Sequence, residues 1–313
     1  MTAELVIGDS VDTFHSFDQT QPLWMETVWF GAWIPEASIS IYFYNWFRPV
    51  SGIFGGGCLI WDDRGELPWE IPVYVYEVNA PLTGTVDLRD MHLPTGNHLR
   101  ALEEGQRYEM TFNNPRVDLA MSFAAQFPAE ETTTEGAADF FNGHIDQAGH
   151  YQGRLQLEGK SYPIDCHGIR DRSWGPRVIG DTIRLGYFHG QSKDLAFLGY
   201  STPGGEIEPV IKGYLLMDGE KMPLARGERL VHYKNGRLRH MDVSLVDIKG
   251  RTLNLHGRPL NRFVYLPYAN LVVVLHLMEW HTPAGIVYGE EQDAWSVPLW
   301  QQRREIPLAP KVA

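Results

Sequence analysis

SISIYFYNWF, Ser38 to Phe47, decides the fold class. Its β-branched and aromatic side chains and its length read as an extended strand, not a helix. Period-two geometry puts Tyr42, Tyr44 and Trp46 on one face and Phe43 and Phe47 on the other, so both faces are apolar and suited to burial. IPVYVYEV (Ile71 to Val78) and VDLAMSFAAQF (Val117 to Phe127) read the same way. The second half repeats the style at Thr182 to His189, Leu195 to Tyr200, Val210 to Met217, Met241 to Val246, Leu271 to Trp280 and Ile286 to Gln292. Turn signals fall between these runs: DDRGE (Asp62 to Glu66), PGGE (Pro203 to Glu206), MDGE (Met217 to Glu220) and KNGR (Lys234 to Arg237). Many strands at short spacing predict an all-β sandwich or barrel. The helix candidate is Asn97 to Glu104, with Asn97 as N-cap. GIFGGG, Gly52 to Gly57, reads as a bulge or turn that bends strands.

The acidic, Thr-rich stretch Pro128 to Gly143 is the expected linker, which divides the chain into domains 1–143 and 144–313. A faint echo between GCLIWDDRGE (Gly57 to Glu66) and GYLLMDGE (Gly213 to Glu220) agrees with two related β-domains.

The 313 residues carry 27 Lys and Arg against 39 Asp and Glu, a formal charge of −12, with no basic run. That balance argues against nucleic acid or an anionic membrane surface as partner. MTAELVIGDSVDTFH shows no secretory pattern, and apolar runs such as Leu271 to Leu275 are far too short to span a bilayer. Cys58 and Cys166 are distant in sequence and form no CxxC pair, so neither a disulfide framework nor a thiolate zinc site is expected. The expectation is a soluble cytoplasmic protein. No phosphate loop, dinucleotide fingerprint or G-x-S-x-G elbow is present, and no cofactor or metal is expected. The rings stand out: 10 Trp, 14 Tyr and 14 Phe fit either a large core or an aromatic-walled cavity for an apolar ligand.

Chemistry concentrates in CHGIRDRSWGPR, Cys166 to Arg177. The strand before it places Asp165 and His167 on one face and Cys166 on the other. If the guanidiniums of Arg170 and Arg172 lie close to Asp171, they keep it ionised; if burial beside Trp174 dominates, its pKa rises and it becomes a proton donor. The alternative is an Arg/Asp/Trp latch. In HLMEWH, His276, Met278 and Trp280 share one strand face, and Glu279 and His281 the other, so the potential ligands do not converge on a metal. His276 and Trp280 then line a cavity, or His276 is a hydrogen-bonded core residue. Tyr187 and His189 share a face soon after the motif and could bind a ligand carbonyl or hydroxyl, or be an ordinary inward pair. His144 and His150, in GHIDQAGH, read as solvated loop residues near the motif.

GIRDRSWGPR, preceded by HYQGRLQLEGKSYPIDCHG (His150 to Gly168), resembles the signature of the lipocalin-related superfamily that includes carotenoid 1,2-hydratase (hydroxyneurosporene synthase) and the AttH-like proteins. Their Asp-x-x-Trp-Gly stretch is matched by Asp171, Trp174 and Gly175, and a bacterial branch with Arg-Asp-His/Arg-Ser-Trp-Gly matches best. The resemblance implies two calycin-like β-barrel domains, or strongly curved antiparallel sheets, around an apolar cavity. It also implies a cofactor-independent acid/base lyase or isomerase (hydratase, dehydratase or cyclase) acting on a hydrophobic isoprenoid-like or polycyclic substrate. Asp171 and His167 would be the ionisable catalytic pair, with Trp174, Tyr187, His189, His276, Trp280, Arg170 and Arg172 shaping the pocket. Arg172 stands where relatives often have His, and its permanent charge would push Asp171 towards a base or an anchor. The rival function is a carrier that holds a hydrophobic molecule without transforming it.

Overall fold

The structure, a computed structural model, describes residues 3–131, 142–202 and 207–302. The PGGE turn and most of the expected linker lie outside the described residues. The chain forms two compact units: Met1–Trp61 with Ile71–Val178, and Asp62–Glu70 with Ile179–Ala313.

The first unit is built on a ten-stranded antiparallel sheet. From one edge the strands are Val73–Pro81, Ile53–Trp61, Ile39–Arg48, Trp24–Ile34 and Lys160–Pro176; then follow Gly143–Leu157, Val117–Ala125, Arg107–Asn114, Asn97–Glu103 and Asp90–His92. The sheet curls into a half-barrel. Phe30 and Tyr108, on strands four places apart, bring their rings within 5.2 Å, a contact that only the concave face permits. Phe43, Phe47 and Phe123 join that concave core. The expected bulge is present: the register between Ile53–Trp61 and Val73–Pro81 shifts between Phe54 and Gly56.

Two expectations are corrected. Asn97–Glu103 is a strand, paired along Arg107–Asn114, with Asn97 and Leu99 buried. Ladder bonds and burial of one face outweigh the weak intrinsic stability of so short a helix. Asn97 is no helix cap; its side-chain amide donates to Asn45 Oδ1 at 3.4 Å. The break between units falls after Val178 rather than at 143. Gly143–Leu157 bonds to Val117–Ala125, and Lys160–Pro176 to Trp24–Ile34, so the motif strand is central to the first sheet and a cut at 143 would sever both ladders.

In the second unit nine strands form one antiparallel sheet. Thr252–Pro259 also pairs with Leu271–Thr282, and this closes eight strands into a barrel. Phe188, Phe197, Met241, Met278 and Trp280 fill its interior. The MDGE and KNGR signals are tight hairpins: Asp218 and Gly219 (φ 55° and 75°) and Asn235 and Gly236 (56° and 71°) take the left-handed pairs that two-residue turns require. The segment Asp62–Glu70 belongs to this unit. Glu66 takes Arg237 at 2.7 Å and Arg262 at 2.6 Å, and its carbonyl accepts the Val264 N–H. Among the described residues no helix is long and apolar enough to cross a membrane.

Candidate functional site

The motif strand Lys160–Pro176 sorts its side chains by parity. Arg170, Arg172 and Trp174 lie on the concave face, Asp171 and Ser173 on the other. Arg170 sits over the rings of Phe30 and Tyr108, pairs with Asp12 and donates to Gln147 Oε1 at 3.1 Å. Asp12 also accepts the Tyr108 hydroxyl and the Gly105 N–H, both at 2.7 Å. Arg172 donates to the carbonyls of Val11, Thr13 and Thr27 at 2.8–3.0 Å and to Glu26 Oε2 at 3.0 Å. Trp174 stacks on His15 at 3.7 Å, and His15 Nδ1 lies 3.2 Å from Glu26. Its indole lies across Gly143, where a Cβ would come within 2.1 Å of the ring. The even-numbered residues of the motif and the buried acids Asp12 and Glu26, which sequence reasoning missed, form an Arg/Trp latch within the first unit, whereas the expected Arg/Asp/Trp latch included Asp171.

Asp171 takes no part in it. Asp146, on Gly143–Leu157, registers directly opposite Asp171, and His144 opposite Ser173. His144 Nε2 lies 2.9 Å from Asp146 Oδ2 and 2.9 Å from Asp171 Oδ2. Burial disfavours a charged imidazole here, but the two carboxylates more than reverse this and raise the His144 pKa to about 10. His144 is thus held protonated at neutral pH. The side chain of Asp171 is 13% exposed, that of Asp146 only 2%. Next along the same face, Ser173 Oγ is within 2.7 Å of Thr27 Oγ1 and accepts from Arg177 at 2.7 Å. The donors of His144, Asp146 and Asp171 lie within 4.8 Å of one another, so the same trio could also take a divalent ion.

The expected surroundings of Asp171 are thus revised. Neither flanking guanidinium reaches it, because both point to the opposite face, and the charge of Arg172 is spent on Glu26. Trp174 is on that opposite face too. His167, four residues back along the strand, is roughly 13 Å away at 3.3 Å per residue; it is half-buried and lies against His150. The imidazole within hydrogen-bond distance of Asp171 is that of His144. It belongs to a strand, not a solvated loop.

In the second unit Tyr187 and His189 are buried and share a face with Tyr200, the Tyr187 ring lying 5.4 Å from His189 and 5.0 Å from Tyr200. His276 and Trp280 point into the barrel, as their shared face predicts, but play separate parts. Trp280 is core, between Phe188 and Phe197, its indole N–H donating to the His189 carbonyl at 3.0 Å. His276 Nδ1 lies 2.7 Å from Glu291. Glu291 accepts from Arg229, which also bonds Glu208, and Asp293 accepts the Tyr233 hydroxyl. Burial raises the Asp293 pKa and the charge of Glu291 adds to it. Burial opposes ionisation of Glu291 as well, yet His276 and Arg229 hold its carboxyl below the usual range. This network anchors the polar end of the barrel.

An open half-barrel and a closed barrel in one chain is a fold shared with solved structures. Two of the solved structures similar to this chain are as follows. Kievitone hydratase from Nectria haematococca aligns over 89% of this chain and 91% of its own, with a TM-score of 0.51 and 10% identity. A putative AttH from Nitrosomonas europaea aligns over 90% and 95%, with a TM-score of 0.54 and 10% identity. A search of curated proteins found no match. Residues 8–285 match the family described as domain of unknown function DUF7064, and the chain belongs to that family.

Proposed function

We propose that the chain is a hydratase- or dehydratase-type lyase working by acid/base chemistry at Asp171, His144 and Asp146. The observation that carries this reading is the parity of the motif strand. The arginines are committed to the latch, while Asp171 shares the His144 N–H with a second carboxylate. His144 is the proton store, and Asp171, the more exposed acid, exchanges the proton with substrate. In hydration one alkene carbon gains that proton, water oxygen bonds to the other, and the proton shed by water returns to the carboxylates. Dehydration is the reverse. Trp29 registers opposite Asp171 and Tyr44 opposite Trp29, so the same face carries rings able to stabilise a cationic intermediate by about 0.5–2 kcal/mol each. A hydrophobic, unsaturated, isoprenoid-like or polycyclic substrate fits this chemistry, and a fold shared with kievitone hydratase is consistent with it. The filled interior of the closed barrel weighs against a carrier that stores its cargo there.

The test is a panel of isoprenoid alkenes and their alcohols incubated with the protein in ¹⁸O-water, the product read by mass spectrometry. Asp171→Asn should cut kcat by about 10²-fold or more, the usual contribution of a positioned acid or base, with the fold intact. An Asp171→Asn variant that turns over a confirmed substrate within threefold of wild type would refute the assignment.

A further inference from the structure

Of the chain's 12 histidines, four gather on the outward face of the closed barrel, far in sequence from the motif. His232 pairs directly with His240 across one hairpin, Asp242 with His256 across the next ladder, and His256 with His281 across the strand pair that closes the barrel. His240 and Asp242 are two residues apart and so share a face, while Met241 and Val243 turn into the core. Backbone register alone therefore places this group together. The side chains converge on Asp242: His232 Nε2 is 3.1 Å and His240 Nε2 3.9 Å from Oδ2, and His256 Nδ1 is 2.8 Å from Oδ1. The rings of His232 and His240 stack at 4.0 Å.

We propose that His232, His240 and Asp242 form a binding site for a borderline transition-metal ion of the Zn(II), Ni(II) or Cu(II) kind. Imidazole nitrogens with one carboxylate are the donors such ions select. The three donor atoms lie within 4.8 Å of one another. Metal–ligand bonds of about 2.1 Å in a tetrahedron put donors about 3.4 Å apart, and the 3.1 and 3.9 Å separations bracket that value. One carboxylate oxygen faces the two histidines, and His256 holds the other. This is the outer-shell support that fixes a ligating carboxylate. The ligand side chains are 38–48% exposed, so water completes the coordination sphere.

The experiment uses the full chain without an affinity tag, stripped with chelator and titrated with ZnCl₂ by calorimetry. One equivalent that depends on His240 should bind in the micromolar range. His240→Ala should weaken binding at least tenfold, and His256→Ala by about tenfold, the usual loss for an outer-shell partner. His98→Ala, in the separate Asp90–His92–His98 group, should leave binding unchanged. Co(II) should give a visible d–d absorption that His240→Ala abolishes. All these side chains are partly exposed, so the variants should keep the wild-type circular dichroism. Absence of saturable binding below about 1 mM would overturn the proposal, as would wild-type affinity in His240→Ala or a loss confined to His98→Ala.

Discussion

Replacing Arg172 should strongly destabilise the first unit, whereas replacing its neighbour Asp171 should not. The Arg172 guanidinium is 1% exposed and serves four acceptors: the carbonyls of Val11, Thr13 and Thr27, and Glu26, whose side chain is fully buried. Arg172→Ala removes the guanidinium partner of buried Glu26, which keeps the His15 N–H and ring among the described residues, and three carbonyls lose a donor. Removing one partner of a buried ion pair costs about 3–5 kcal/mol. For a unit of this size each kcal/mol moves the melting point by about 2–4 °C, so the transition should drop by roughly 6–20 °C. Asp171→Asn keeps the size of the side chain and touches none of the latch; its melting point should stay within a few degrees of wild type. Differential scanning calorimetry of wild type and the two variants, with urea unfolding followed by circular dichroism, measures both. If Arg172→Ala melts like wild type, or Asp171→Asn falls as far as Arg172→Ala, the division of the strand into a structural and a chemical face is wrong.

Three further outcomes follow from the same structure. His144 has a folded pKa of about 10 against 6.5 unfolded, so the stability it contributes is complete below pH 6.5 and is lost as pH rises towards 10. Wild type should lose more melting temperature than His144→Asn between pH 7 and 10, and parallel curves would contradict this. Burial pushes the Cys166 thiol up to about 12 and Cys58 higher still, so a thiol reagent at pH 8 should label neither until denaturant is added; fast labelling of the native protein would contradict their burial. Gly186→Ala would set a Cβ 2.4 Å from Arg229 Cζ and from Ser201 Oγ, and should cost about 1–3 kcal/mol in the second unit, read from the urea midpoint. An unchanged midpoint would mean that the Arg229 network yields more freely than its burial implies.

The strands were legible because their burial is written residue by residue: Ile39–Arg48, Leu195–Ser201 and Leu271–Thr282 all declare themselves through runs of branched and aromatic side chains. The Asn97 segment misled because NHLRALE has helix-forming residues behind a good cap, and only its ladder partners, absent from local sequence, make it a strand. The motif itself was visible, but its internal division was not drawn, although the alternation that separates Cys166 from Asp165 and His167 also separates Arg170 and Arg172 from Asp171. The partners were beyond reach. Asp12 and Glu26 are 158 and 146 residues from the arginines they neutralise. His144 meets Asp171 only once the register of Gly143–Leu157 is known.

The assignment of Asp62–Glu70 to the second unit has a practical consequence. Neither unit is one uninterrupted stretch of polypeptide: the chain leaves the first at Trp61, contributes nine residues to the second, and returns at Ile71. A fragment starting at Ile179 would lack Glu66 and strand Arg237 and Arg262 without their shared counter-ion. Dissecting this protein by truncation would damage both halves, and point substitution is the sounder way to assign roles to each.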